Sequence, residues 1–322
     1  ESLNIIGPLT AHSWASFSLT YFSSVVIGSN VTSIETHALS AASNLTSVTI
    51  PESVTSIGDY AFRTNPKLTS INIPASVTSI GIYAFQNQPF TSVTFSQDSQ
   101  LSSIGEGAFY GTPNLTSIDI PASVTSIGIK VFQLSGIETV TFAPDSQLTS
   151  IGDSAFASAL SLTSVTFEAG SQLTSIGNGA FQDAPSLASI NIPASVTSIG
   201  ANAFQETSSL TSVTFEEGSQ LTSIGDSAFR FSGMTSITIP DGVTSIGVSA
   251  FHNTESLTLL TFEAGSQLTS IGENAFRNTG LTSIAIPAGV TSIRDNAFYQ
   301  ATNLETVTFE AGSLLDSIGA SA

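Results

Sequence analysis

Apolar residues along this chain alternate with polar ones over four or five positions, break at a Pro or Gly, and return at wider intervals before the pattern starts again. The stretch from Leu115, LTSIDIPASVTSIGIKVF, shows one full cycle. Leu115, Ile118 and Ile120 aim to one side while Ser117 and Asp119 aim to the other, which predicts a short strand with one buried face. Pro121 ends it, because its ring fixes φ and leaves no N–H for a ladder. Val124 and Ile127 bring the chain back to the interior, Gly128 permits a sharp turn, and Phe132 fills the middle of the loop so formed. The segment Gln133 to Gly136 leads to the next strand.

This cycle recurs from end to end as SIGxxAF. Its Phe falls at Phe62, Phe85, Phe109, Phe132, Phe156, Phe181, Phe204, Phe229, Phe251, Phe276 and Phe298, and Leu39 holds the place one cycle earlier. Steps of 22 to 25 residues are the period of solenoids of the leucine-rich type, in which each coil adds one strand and cannot bury its apolar side without a neighbour. The expected fold is an α/β-type repeat solenoid, mainly β with little helix, right-handed, with about 12 coils of 22–25 residues. All but four of the 21 Phe fall in two columns, this one and the strand-end column Phe95, Phe142, Phe167, Phe215, Phe262 and Phe309. Both columns therefore read as core.

Loop lengths follow a rule of their own. Short coils carry Ile-Pro-x-x-Val, as at Ile192 to Val196, and long ones carry Phe-Glu-x-Gly-Ser-Gln-Leu, as at Phe262 to Leu268. The extra residues must bulge at one edge, so Glu168, Glu216, Glu217, Glu263 and Glu310 are expected to form a solvated acidic rim. Residues 1–30, with Trp14 and a degraded coil containing Phe17, Val25 and Ile27, read as an N-terminal cap. Residues 31–322 read as the repeat array, cut within a repeat because SIGASA stops before the next Phe. That open coil, from Leu304 on, would suit end-to-end self-association.

The unit LxxLxLPxxLxxIGxxAF resembles the BspA-like, Treponema-type leucine-rich repeats of bacterial and some protist surface proteins, from about Asn30 to the end. The resemblance implies a cell-surface or secreted adhesion and recognition module, with a host or cell-surface protein or glycan as partner. One column departs from it. Where the family often has Cys, three residues after the AF Phe, this chain has Asn65, Gln88, Thr112, Ser135, Ala159, Ala184, Thr207, Ser232, Thr254, Thr279 and Ala301.

Charge removes several classes of partner. Six basic residues face 24 Asp and Glu for a net charge of -18, a balance that repels phosphate backbones and anionic membrane surfaces. No apolar run reaches the roughly 18 residues needed for membrane insertion as a helix. Zero Cys removes disulfides, thiolate metal sites and Cys nucleophiles together. His12, His37 and His252 lie in separate coils without metal-ligand spacing, and no GxSxG, SxxK or P-loop motif activates any of the many Ser. Glu residues on alternate coils stand roughly 9 to 10 Å apart at ordinary strand spacing, too far to share one ion. Neither a catalytic residue nor a metal ligand nor a cofactor is therefore expected.

The outward strand positions are what a partner would meet. They are almost all hydroxyls, and Thr141, Thr166, Thr214, Thr238, Thr261 and Thr308 with Ser164, Ser212 and Ser236 are the candidate ligand-binding residues. Trp, Tyr and Arg, which concentrate binding energy in tight protein interfaces, are absent from these columns. Three readings follow: a uniform ladder of good strand formers with no further role, as in a structural spacer; weak multivalent adhesion to proteins or glycans; or a regular hydroxyl grid that orders water, as ice-binding solenoids do.

Overall fold

The computed structural model describes residues 2–5, 21–168 and 170–322. The chain is a parallel β-solenoid of about 13 turns. It divides into two compact units, Glu1–Glu168 and Ala169–Ala322. No α-helix occurs among the described residues, so the little helix expected from the repeat is none. Counting by the AF column gives 12 coils; the strand Ser317–Ile318 beyond Phe298 adds a further turn. Trp14 and Phe17 of the expected cap lie outside the described residues. Val25 and Ile27 are buried in a regular strand, Ser24–Ile27, which pairs in parallel with Ser2–Ile5.

Each turn has three sides. The first is the outward strand, such as Ser117–Ile120, with alternating exposed and buried residues. The second is the two-residue strand at Ser-Ile, for example Ser126–Ile127, which pairs in parallel with its equivalents in the turns before and after, Ser on Ser and Ile on Ile. The third side is the AF segment. Here the residues two before and two after the AF Phe have positive φ in every turn, as at Tyr60 (56°) and Thr64 (58°) around Phe62. The αL region costs non-Gly residues roughly 1–2 kcal/mol each, least for Asn and Asp, and Asn fills it at Asn202, Asn253, Asn274, Asn278 and Asn296. Alternating handedness aims every second N–H at the next turn: Tyr60, Phe62 and Thr64 donate to the carbonyls of Ile82, Ala84 and Gln86 at 2.8 to 2.9 Å. A helix would keep these bonds within the turn, so the ribbon knits neighbours together instead.

The AF Phe side chains from Phe62 to Phe276 are fully buried, and within each unit they stack ring on ring, as Phe85 on Phe109 at 5.3 Å and Phe181 on Phe204 at 5.2 Å. Beside them, the column three residues after the AF Phe is buried and carries polar side chains in most turns. Thr112, Thr207 and Thr279 donate their hydroxyls to the carbonyl of their own AF Phe, at 2.9, 2.6 and 2.9 Å. A buried hydroxyl satisfied in this way costs little, and Ser135 does the same at 2.7 Å, whereas the buried Ser232 hydroxyl has no partner among the described residues.

Candidate functional site: the strand face and its grooves

Most hydroxyls of the repeat serve the fold. In the Val-Thr-Ser-Ile and Leu-Thr-Ser-Ile segments Thr donates both its N–H and its hydroxyl to a carbonyl of the preceding turn, the hydroxyl of Thr78 to Thr55 at 3.1 Å, of Thr244 to Thr222 at 3.1 Å and of Thr269 to Thr244 at 2.9 Å. Thr ahead of the outward strand does the same, as Thr211 to Ala188 at 3.3 Å. Ser195 donates to Leu173 at 2.7 Å, and Ser219 receives the N–H of Leu221 at 3.3 Å in a local turn.

The outward columns are different. Thr141, Thr166, Thr214, Thr238, Thr261, Thr308, Ser212 and Ser236 are all exposed, and Ser164 is half-buried. They meet other exposed side chains across a turn: Thr214 donates to Asn191 at 2.9 Å, the hydroxyls of Thr238 and Thr261 lie 2.9 Å apart, and Thr141 meets Asp119. The backbone does not consume these groups.

Proline divides this face. A strand ending in Phe or Ile is normally locked by the next N–H: Glu216 donates to Ile192, Glu263 to Ile239 and Glu310 to Ile286, each at 3.0 Å. Pro74, Pro121, Pro240 and Pro287 occupy the same place in the Ile-Pro coils and have no proton to give. The ladder into such a coil is accordingly absent between Ser47–Thr49 and Ser70–Ile73 and between Ser92–Phe95 and Ser117–Ile120. It shrinks to Ser212 on Ser236 and to Leu259 on Ser283 in the second unit. Ser24–Ile27 keeps three pairs with the Ile-Pro strand Ser47–Thr49. Ladders into Phe-ended coils run three or four residues, as from Ser236–Ile239 to Leu259–Phe262.

A groove opens at such a junction in each unit. One, of about 290 Å³, is lined by Thr214, Phe215, Thr238, Leu259, Thr261 and Glu263. The other, of about 360 Å³, is lined by Phe95, Ser99, Asp119, Ile120, Pro121 and Ala143. The strand-end Phe column is therefore only partly core. Phe142 is buried, but Phe95, Phe215 and Phe262 are half-buried because a missing rung leaves the ring edge uncovered; Phe167 is also half-buried, and Phe309, in the last turn, is exposed.

The rim carboxylates have a structural task. Glu216, Glu263 and Glu310 accept the backbone N–H of Ala194, Asp241 and Ala288 at 3.1 to 3.2 Å, capping the turn of the preceding coil. Among the described residues, no group of three His, Asp or Glu is placed to hold a metal ion. His12 lies outside those residues. His37 stacks on Tyr60 at 4.8 Å, and His252 on Phe231 at 6.3 Å.

Those rings belong to a surface that the hydroxyl columns gave no reason to examine. Four of the five Tyr and four of the six basic residues flank the AF Phe: Tyr60, Tyr83, Tyr110 and Tyr299, with Arg63, Lys130, Arg230 and Arg277. In the first unit Tyr60 and Tyr83 continue the stack from His37 at 5.7 Å, Tyr110 meets Tyr83 edge-on at 6.0 Å, and Arg63 lies 5.6 Å over the Tyr60 ring. A Cβ at Gly107 would strike the Tyr83 ring, so glycine makes room for the stack. Burial, reinforced by the Glu106 carboxylate that its hydroxyl meets at 3.2 Å, raises the Tyr83 phenol above its ordinary range. Columns one after and two before the AF Phe hold this signal in the sequence.

A protein from Bacteroides ovatus with leucine-rich repeats shares this fold at 28% identity, with 83% of this chain and 78% of that one aligned and a TM-score of 0.56. The pneumococcal vaccine antigen PcpA aligns over 89% of this chain and 79% of its own at 20% identity, TM-score 0.54. A leucine-rich repeat protein from Eubacterium ventriosum aligns over 98% and 87% at 20% identity, TM-score 0.51. Among curated proteins none matches the chain significantly. The family model for the BspA type leucine rich repeat region matches residues 13–138, 102–232, 130–258 and 222–322, and the chain belongs to that family.

Proposed function

We propose that the chain is a non-enzymatic recognition module, secreted or held at a cell surface, that adheres to a protein or glycan through its Ser/Thr strand face. The observation that carries this reading is the interruption of that face. Where Pro removes a rung, hydroxyls of Thr214, Thr238 and Thr261 converge on a groove floored by the half-buried Phe215. An aromatic floor with polar walls suits a ligand that offers apolar and hydrogen-bonding edges together. Family membership supports the surface location, and PcpA, which shares the fold, is itself a vaccine antigen. No helix among the described residues is long and apolar enough to cross a membrane. A water-ordering role would call for an uninterrupted grid, and the broken ladder weighs against it.

The test is binding of the full chain to arrays of purified glycans and extracellular matrix proteins, with an ice-recrystallisation assay in parallel. A Thr214→Asp/Thr238→Asp variant that stays folded by circular dichroism should lose at least tenfold in affinity for the uncharged glycan or matrix protein that the parent binds. Equal binding by the variant, or ice activity abolished by it, would overturn the reading.

A further inference from the structure

Arg230, His252 and Arg277 each follow the AF Phe of consecutive turns, so they form a column of two guanidiniums and an imidazole on a chain that is otherwise strongly acidic. Turns stack at about 4.8 Å, which places the two guanidiniums roughly 10 Å apart with the imidazole between them. Each guanidinium lies over an aromatic ring: Arg230 over Phe231 at 4.7 Å, Arg277 over Tyr299 at 5.0 Å. Both rings remain substantially open, at 39% and 42% exposure.

The cations keep no acidic partner of their own. The buried Nε atoms of Arg230 and Arg277 make no hydrogen bond, and neither guanidinium forms an ion pair among the described residues. Arg277 reaches only the Asn274 amide oxygen, at 3.4 Å. Nearby carboxylates are engaged elsewhere: Glu206 with Gln205 at 2.9 Å, Glu255 with Asn278 at 2.9 Å, Glu273 with Asn274 at 3.2 Å. The two guanidiniums stand without counter-charge and repel one another, and an anion set between them relieves that repulsion. Burial and then the charges of Arg230 and Arg277 hold the His252 imidazole below its ordinary range, in keeping with that arrangement.

The backbone beneath is already spent. Phe229, Phe231, Phe251 and Asn253 donate their N–H groups to the next turn, so an extended peptide finds no strand edge here and recognition falls to side chains. Duplex nucleic acid carries one charge per ~1.7 Å and would bring many phosphates against a protein of charge -18 for two cations. A polymer with one carboxylate per ring matches the column better. Its carboxylates fit the guanidinium fork, and its sugar faces can lie on Phe231 and Tyr299. We propose that this column is a binding site for an acidic polysaccharide of the uronic-acid type, separate from the strand face.

The experiment is titration of the full chain, at low and physiological salt, with a defined oligouronate, the same oligomer with its carboxyl groups reduced to alcohols, and single-stranded DNA of equal charge. The oligouronate should bind, its affinity should fall with salt, and Arg230→Gln/Arg277→Gln should weaken it at least tenfold. Thr214→Asp/Thr238→Asp on the strand face should leave it unchanged, which separates this site from the one proposed above. Should the double Gln variant fail to fold, Arg230→Lys/Arg277→Lys keeps charge and loses the fork, and it should weaken the oligouronate several-fold. Undiminished binding by the folded variants, equal binding of the reduced oligomer, or tighter binding of DNA would overturn the proposal.

Discussion

The rings of Phe204 and Phe229 lie 5.3 Å apart with only 3° between their planes, and Phe251 continues the stack at 5.4 Å. Phe229 thus fills the centre of its turn and touches both neighbours, with no exposed surface. Truncation to Ala should cost about 3–5 kcal/mol, the range for buried Phe. Thr238→Ala, on the exposed ladder, should stay within about 0.5 kcal/mol. Urea melts of the two variants check this, and equal losses would show that the inward and outward faces are misassigned.

Two glycines with different surroundings should respond differently to the same methyl group. Gly233 sits in a return segment one residue shorter than its counterpart after Phe204, and a Cβ there would collide with the Ser208 carbonyl of the preceding turn. Gly218 has φ +75° and open space around it. Gly233→Ala should cost about 3 kcal/mol by overpacking, whereas Gly218→Ala should cost about 1 kcal/mol, the penalty of a left-handed residue. Thermal melts that rank them the other way would refute the tight return.

The His252 imidazole makes stability depend on pH in a definite direction. Its pKa in the folded chain lies below the ordinary value, because of burial first and the charges of Arg230 and Arg277 second. The unfolded chain therefore takes up the proton first as pH falls, so the contribution is present above the ordinary His range, near about 6.5, and lost on acidification through it. His252→Gln should flatten that part of the profile of melting temperature between pH 7.5 and 5. An unchanged slope would contradict the assigned surroundings.

The last turn should be the least protected from hydrogen exchange. Phe309 and Ile318 are 44% and 61% exposed, whereas their equivalents one turn earlier in the first case, Ile286, and in the second, Ile293, are 0% and 4% exposed. Amides after about Asn303 should exchange faster than those of the central turns in dilute solution. Protection equal to the middle of the array in a monomer would show that these residues cover themselves; protection that rises with concentration would support end-to-end pairing.

Much of the architecture follows from local rules that act identically in every repeat. Ile118 and Ile120 point inward because a strand alternates, Pro121 ends it because it lacks an N–H, and Phe132 is central because no other residue of its turn is as large. The strand-face hydroxyls are legible for the same reason, since alternation alone exposes Thr214 and Thr238 once Val213 and Ile237 are buried.

What lies between turns was not legible in this way. Whether a hydroxyl is free depends on the carbonyl one turn away: Thr244 and Thr238 belong to the same repeat, yet Thr244 is tied to the Thr222 backbone and Thr238 meets only Thr261. The grooves beside Phe215 and Phe95 arise because a missing proton at Pro240 or Pro121 acts on the preceding strand, about 25 residues back in sequence and one rung away in space. The column of Arg230, His252 and Arg277 likewise exists only because left-handed residues on either side of each Phe turn the AF segment into a ribbon that stacks them. A sequence specifies each residue's own geometry through short-range sterics, but these contacts are set by the stacking of turns, and that is a property of the tertiary structure alone.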